Sequence, residues 1–450
     1  MQDYQPLTSQ RLNDIRTSFD SNAQRRLAMN ASVENGVNKV AYNYDAARFL
    51  QRRFSTQLNQ GKVTNQRRSG RCWLFSSLNV ARFVAKREMG IANQEFEFSQ
   101  NYAMYFDKLE RANYFLRDMA ELIAQGKTPD SRLVQFQMES VMGDGGQWTM
   151  AMNVYKKYGA VPKDFFPETE ASMNTRFLDE HLRHMLHEQV ARMFQNKDNA
   201  AEVERLINEG VERAHSILTV NLGEPPVSFE WEYTDDEGNF HRDGEMTPVE
   251  FWNKYVGPAH LEDYVCLVND PRQEHPRGEK IAIQHLGNVA GGDPTEYLNV
   301  DMSVMKDLAR RILVEEGIPV WFGCDCGAFA DRQKGNWSVN LFDYESVYGF
   351  GQSLNKEERV RYWDSAMNHA MAFNGVDVAD DGTTTKRWRV ENSWGEDVAD
   401  KGYFTMDDEW FDEYVYEVAV PKSMLSAELQ EGLNKPALEL DAWDPMGALA

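Results

Sequence analysis

Cys72 lies in the run Q-R-R-S-G-R-C-W, His369 in N-H-A-M-A-F and Asn392 in E-N-S-W-G. A cysteine, a histidine and an asparagine in that order are the side chains that a thiol acyl-transfer reaction needs. A thiol attacks well only as its thiolate, so its ordinary pKa of about 8.5 must be lowered. A helix N-terminus does this through its partial positive charge, and a neighbouring imidazolium does more. Cys72, read as a first-turn residue of a helix, meets the first condition, and His369 is the candidate for the second. Asn392 is the candidate acceptor for the other ring N–H of His369, which would hold the imidazole in one orientation. Trp394, two residues on, is suited to cover that bond and keep water from it. Gln66, six residues before the cysteine, offers its side-chain amide to a developing oxyanion, with the backbone N–H of Cys72 as the second donor. A lone cysteine in an apolar stretch is ordinarily a small buried hydrophobe. Cys72 instead follows S-G-R, and its partners have distinctive segments of their own, which favours the catalytic reading.

These residues need elements to position them. A helix is expected from Ser69 as N-cap, with Leu74, Leu78, Ala81 and Ala85 on one stripe and Gly90 as its stop. A second helix follows Gly145-Gly146, with Trp148, Ala151, Met152 and Tyr155 on its apolar face, and ends at Gly159. The first sixty residues read as polar helices that wrap the body. Residues 175–195 and 199–218 read as two charged helices, and W-E-Y-T-D-D-E-G-N-F-H as an exposed hairpin. Met305, Leu308, Ala309, Ile312 and Leu313 define an amphipathic helix stopped at Gly317, and P-V-W-F-G-C a buried strand after it. A turn at Asp381-Gly382 joins the apolar stretch after His369 to W-R-V-E-N-S-W; a hairpin there brings His369 and Asn392 together.

Composition narrows the classes. With 450 residues, 42% hydrophobic and 12% aromatic, the chain can bury a large core. A formal charge of −23 is ill suited to phosphate backbones and argues against a nucleic-acid partner. The N-terminus lacks the basic-then-apolar pattern of a secretory signal, and no run reaches the roughly 18 apolar residues of a membrane span. Four cysteines, Cys72, Cys266, Cys324 and Cys326, make no disulfide framework, so a reducing cytoplasmic setting is expected. No metal or other cofactor is expected. His181, His184 and His187 fan over about 120° of a helix and read as a solvated face. Cys324 and Cys326, on one side of a probable strand, read as core, and Asp235, Asp236 and Glu237 as a solvated turn.

The segments Q-R-R-S-G-R-C-W, N-H-A-M and E-N-S-W-G-E resemble those of papain-like cysteine peptidases, and S-G-R-C-W with V-E-N-S-W-G resemble the branch holding bleomycin hydrolase and bacterial aminopeptidase C. F-S-Q-N-Y at 98–102, G-D-G-G-Q-W at 143–148, V-E-E-G-I-P-V at 314–320 and K-G-Y-F at 401–404 are similar to family segments in the same order. His369 follows Cys72 by about 300 residues, against roughly 130–150 in compact members. The surplus matches the polar middle region, read as an insertion. Gly143 stands where the family usually has the cysteine of C-x-G-G, so the disulfide of secreted members is missing.

The resemblance implies an α+β, two-lobed papain-like fold with a large, mostly helical insertion and a C-terminal arm. Its parts are an N-terminal wrap at 1–63, a helical lobe with the cysteine at 64–165, the insertion at 166–300, a β-rich lobe with His369 and Asn392 at 301–420, and an arm at 421–450. It implies a cysteine aminopeptidase acting on peptide substrates, with Gly145 and Gly146 lining the cleft. Gly447 to Leu449 would thread the cleft, and the Ala450 carboxylate would meet the substrate amine. It also implies a homohexamer. A papain-like endopeptidase with an open cleft, and a nucleic-acid-binding relative with secondary peptidase activity, are the alternatives.

Overall fold

The computed structural model describes residues 4–449, in which helices and strands share one large apolar core. Four helices open the chain, Ser9–Asp20, Ala23–Asn35, Val37–Ala41 and Tyr44–Phe49, and the first two bury no residue. Ala41, with Leu341, Phe342 and Val347, forms a second, small cluster that ties this segment to the body.

The helix Cys72–Met89 is the central element. Trp73, Leu74, Leu78, Ala81, Val84 and Ala85 are all buried, as in a helix enclosed on every side. It stops at Gly90, whose left-handed φ of 67° lets its N–H cap the last turn. Its start differs from the expectation at Ser69: Arg71 occupies the N-cap and Cys72 is the first helical residue. The Ser69 hydroxyl is engaged within the loop, donating to the Gln66 carbonyl at 2.7 Å and accepting from Arg71 Nε at 2.9 Å. The expected helices appear at Trp148–Tyr158, Arg176–Gln195, Ala200–Leu222 and Met302–Arg311. The last runs into a π-helical turn, Ile312–Glu316, before left-handed Gly317.

Among the described residues a twelve-stranded sheet runs in the order Leu438–Leu440, Glu279–Ile283, Glu296–Asn299, Tyr264–Val268, Val415–Pro421, Val320–Cys324, His369–Val378, Thr385–Glu391, Tyr403–Asp407, Asn336–Trp337 and Ala330–Asp331. Thr56–Gln57 pairs with the far half of His369–Val378. The exposed hairpin forms separately from Phe229–Thr234 and Phe240–Met246. The middle region thus holds more than helices and a hairpin. Its strands 264–268, 279–283 and 296–299 extend the main sheet through Val415–Pro421. Short apolar runs such as Y-V-C-L-V are strands buried on both faces, and they lack the alternation that marks an exposed strand.

Candidate active site

His369 begins its strand and Asn392 directly follows the next one. The turn between them is built by Asp381, whose carboxylate accepts from the Thr383 and Thr384 N–H groups at 2.9 and 2.8 Å, with Gly382 at φ 75°. The hairpin brings His369 Nε2 to 2.9 Å from Asn392 Oδ1. Trp394 stacks on the imidazole with centroids 4.9 Å apart, and the Arg332 guanidinium lies 3.9 Å over the indole. The helix Cys72–Met89 approaches the start of the same strand, where the Ala370 N–H donates to Cys72 Sγ at 3.4 Å. With Nε2 committed to Asn392, Nδ1 is the ring nitrogen left for the thiol proton.

Cys72, His369 and Asn392 are 4%, 5% and 1% exposed, so solvation of charge is scarce. Burial pushes the Cys72 thiol up to about 11, against the pull of the Ala370 and Trp73 N–H groups, and nearby Asp144 adds to the rise. Burial pushes His369 down to about 4, against the hydrogen bond to Asn392.

Gln66 is held at both ends. Its Nε2 donates to the Ser69 carbonyl at 2.5 Å, and its Oε1 accepts from the Ser393 hydroxyl at 2.5 Å. One amide hydrogen remains for a further acceptor. The segment around it is laced to the asparagine motif: the Gln66 N–H donates to the Ser393 carbonyl at 2.8 Å, and the Gly395 N–H to the Thr64 carbonyl at 3.0 Å. Gly395 has φ 77°, and a Cβ there would stand 2.4 Å from Asn65 Nδ2, so the glycine of N-S-W-G is a steric requirement of this lacing. Sequence reasoning missed Ser393 and Arg332. Ser393 adjoins Asn392 inside the motif and was open to notice; Arg332 has no local signal.

Gly145 and Gly146 take different partners. The Gly145 carbonyl accepts from Arg111 Nη2. Gly146 sits against the Trp73 indole, and its N–H donates to the Leu449 carbonyl at 3.0 Å. The C-terminal segment therefore runs along the Gly146 edge, which packs on the Trp73 that follows Cys72. Leu438–Leu440 joins the sheet edge, the Arg272 guanidinium binds Asp444 twice at 2.8 Å, and Met446 and Leu449 are buried. Ala450 lies outside the described residues.

Elsewhere, His181 and His184 are exposed, and His187 Nε2 bonds the Met138 carbonyl at 2.8 Å. Cys324 ends its strand, and Cys326 lies in the turn beyond it, so the two do not share a strand face. The Asp235 carboxylate organises the hairpin turn by accepting from the Glu237 and Asn239 N–H groups.

The Peptidase C1-like family model matches residues 6–447. Chicken bleomycin hydrolase is 44% identical over 399 residues, 87% of each chain. Human bleomycin hydrolase is 38% identical over 453 residues, and aminopeptidase C of Listeria monocytogenes 36% over 452, each alignment covering 99% of both chains. The crystal structure of PepW from Lactobacillus rhamnosis HN001 superposes with a TM-score of 0.94 at 38% identity over 99% of both chains.

Proposed function

Since this chain belongs to the Peptidase C1-like family and is a cysteine-type aminopeptidase, we propose that Cys72 is its nucleophile, His369 its proton carrier, Asn392 the residue that orients His369, and Gln66 an oxyanion donor. The Cys72 thiol passes its proton to His369 Nδ1 as sulfur attacks the carbonyl carbon of the substrate's first residue. The oxyanion forms between the Cys72 N–H and the free hydrogen of Gln66 Nε2, which Ser393 and Ser69 hold in place. The C–N bond breaks as His369 returns the proton to the leaving amine, and a thioester remains. Water then gives a proton to His369 and attacks the thioester carbon. The C–S bond breaks, the thiolate regains its proton, and the amino acid leaves.

The observation that carries an aminopeptidase rather than an endopeptidase mode is the bond between Gly146 N–H and the Leu449 carbonyl. A peptide segment of the chain itself lies along one side of the groove, leaving substrates a short space ahead of the scissile bond. A terminal carboxylate at Ala450, if seated next in line, would favour a free amine. The open-cleft endopeptidase reading lacks such an observation.

The test pairs an aminoacyl fluorogenic amide with its N-acetylated twin, with and without a thiol alkylator. The intact chain should cleave only the free-amine substrate and lose this activity on alkylation. Equal cleavage of both would discard the blocked-cleft reading while leaving Cys72 in place.

We also propose peptide substrates, a cytoplasmic setting and a ring of six copies. The four free cysteines suit a reducing compartment, and no helix among the described residues is long and apolar enough to cross a membrane. Leu27, Val33, Tyr44 and Phe49, exposed on the N-terminal helices, suit burial between copies. Sedimentation at six times the 51.8 kDa chain mass is the expected result.

A further inference from the structure

Arg82 lies on the helix Cys72–Met89, about 15 Å along its axis from Cys72. Its side chain is buried, and so is that of Glu391, the last residue of the strand Thr385–Glu391. Arg82 Nη2 donates to Glu391 Oε1 at 2.5 Å, and Nη1 donates to the Lys62 carbonyl at 3.0 Å. Arg82 Nε and Glu391 Oε2 have no hydrogen-bond partner among the described residues. Burial pushes the Glu391 carboxyl up in spite of the guanidinium beside it. A buried ion pair with an unused donor and an unused acceptor is a poor source of stability, because desolvation offsets its attraction.

The pair joins three segments that bear on the site. Lys62 leads into Gln66, Glu391 is followed by Asn392, and Arg82 stands on the helix that Cys72 opens. Glu391 is the last residue of its strand with ladder partners on both sides, Ala372 and Tyr403. Beyond it the ladder slackens, and the Asn392 N–H reaches the Gly402 carbonyl at 3.4 Å. Asn392 therefore takes its place from Glu391 before it and from the lacing of residues 393–395 onto 64–66 behind it. That second support also returns to the helix. Asn79 accepts from Gln60 Nε2 through its carbonyl at 3.3 Å and donates to Thr64 Oγ1 at 3.1 Å, and Arg82 holds Lys62 between them.

We propose that Arg82 and Glu391 are positioning residues for catalysis: their ion pair fixes Asn392, and through it the His369 imidazole, against the helix that carries Cys72. The inference rests on the reading that Asn392 orients His369. The helix is a stiff rod, and the planar guanidinium fork fixes direction as well as distance. Its two arms hold Glu391 and the Lys62 carbonyl at once, so the two strands of the lacing cannot slide past each other or along the helix. An apolar pair would fill the same space and set neither register. The stability of the fold and the alignment of the imidazole are therefore separable at this pair.

The test is a double-mutant cycle on the full chain with an aminoacyl fluorogenic amide. Arg82→Met with Glu391→Met removes both charges together and should leave Tm close to that of the wild type. It should lower kcat by about tenfold with KM unchanged, because a small misplacement of a catalytic group costs rate. In a chain that already carries Asn392→Ala, the same two substitutions should cost little more, since the route from the pair to the imidazole is already cut. Glu391→Asp keeps the charge but draws the carboxylate back by one methylene. It should repeat the pattern more weakly, about threefold in kcat, and it carries the comparison should the first variant fold poorly. An equal loss in both backgrounds, a rise in KM alone, or an unchanged kcat would overturn the inference while leaving Asn392 in its role. An Asn392→Ala chain with wild-type kcat would overturn the reading of Asn392 and this inference with it.

Discussion

Gly146 is gripped from two sides: its N–H reaches the Leu449 carbonyl at 3.0 Å, and the Trp73 indole stands where its Cβ would be. Trp73 follows Cys72, and its Nε1 donates to the Asp144 carbonyl at 2.6 Å. The helix that Cys72 opens therefore sets the position of the Gly146 edge that binds the C-terminal segment. A methyl group at Gly146 would fall within 2.5–2.7 Å of three atoms of the indole. Gly146→Ala should destabilise the fold by about 1–3 kcal/mol through overpacking. The same shift should weaken the hold on Leu449, so the variant should gain measurable cleavage of an N-acetylated substrate. An unchanged Tm would show that the indole yields without cost.

Asn392 makes no hydrogen bond to the thiol; it acts through the imidazole. Asn392→Ala removes the only side-chain hydrogen bond to His369 Nε2 among the described residues. The ring remains stacked on Trp394, so it stays near its place but is free to turn. The expected loss is about 10- to 100-fold, mostly in kcat rather than KM, because binding does not depend on ring orientation. A tenfold rise in KM with kcat unchanged would contradict an orienting role.

The buried imidazole also makes stability depend on pH. His369 is held near 4 in the folded chain against an ordinary 6.5. Between these values the unfolded chain binds a proton that the folded one refuses. The stability tied to neutral His369 is present above about 6.5 and lost as pH falls towards 4, up to roughly 3 kcal/mol. Thermal unfolding of the wild type should therefore fall more steeply across this window than that of His369→Gln. Parallel curves would mean that the imidazole finds a partner for its charge.

Glu417 has the opposite sign. Its folded value of about 8 lies above the ordinary 4.5, so the folded chain holds a proton that the unfolded chain releases. The associated stability is present below about 4.5 and lost as pH rises through 8. In the full-length chain, Glu417→Gln should gain Tm over wild type at pH 8 and lose that advantage near pH 4.5. An advantage independent of pH would point to packing instead.

The elements that bring Cys72, His369 and Asn392 together were legible because each rests on local patterns: a buried helix stopped by glycine, and two strands joined by an Asp-Gly turn. The lacing of Gln66 to Ser393 and the cover of Arg332 over Trp394 depend on segments far apart in the chain, and no periodicity reports such pairings. The helix start was misread because Ser69 has the composition of an N-cap, while its hydroxyl is used within the preceding loop. The strands Tyr264–Val268 and Glu296–Asn299 were passed over because each buries three consecutive residues, so that neither shows alternation. The seat of Leu449 in the groove was reachable only through resemblance, since a short terminal segment carries little pattern of its own.

Gly143, where the family disulfide would begin, is held without a covalent bond. Lys108, buried at 1% exposure, sets its ammonium 2.8 Å from Asp144 and 2.7 Å from Asp179, and donates to the Met142 and Gly143 carbonyls at 3.2 Å. Asp144 in turn accepts from the Gly70 N–H at 2.8 Å, two residues before Cys72. The ammonium thus ties the loop before Cys72 to the segment that leads into Gly145-Gly146. Burial alone would lower Lys108, but the two carboxylates outweigh it and leave it raised. Lys108→Met removes the positive charge from a buried pair of negative ones, and should cost about 3–5 kcal/mol at neutral pH. The uncompensated carboxyls relieve one another by binding protons, so the deficit should shrink as pH falls towards 4 and grow as it rises. Adding Asp179→Asn should restore part of the loss, because one carboxylate can then keep the Gly70 and Thr175 bonds to Asp144 without a like charge beside it. A deficit that is flat with pH, or no rescue by the second substitution, would mean that Lys108 acts by filling space rather than by its charge.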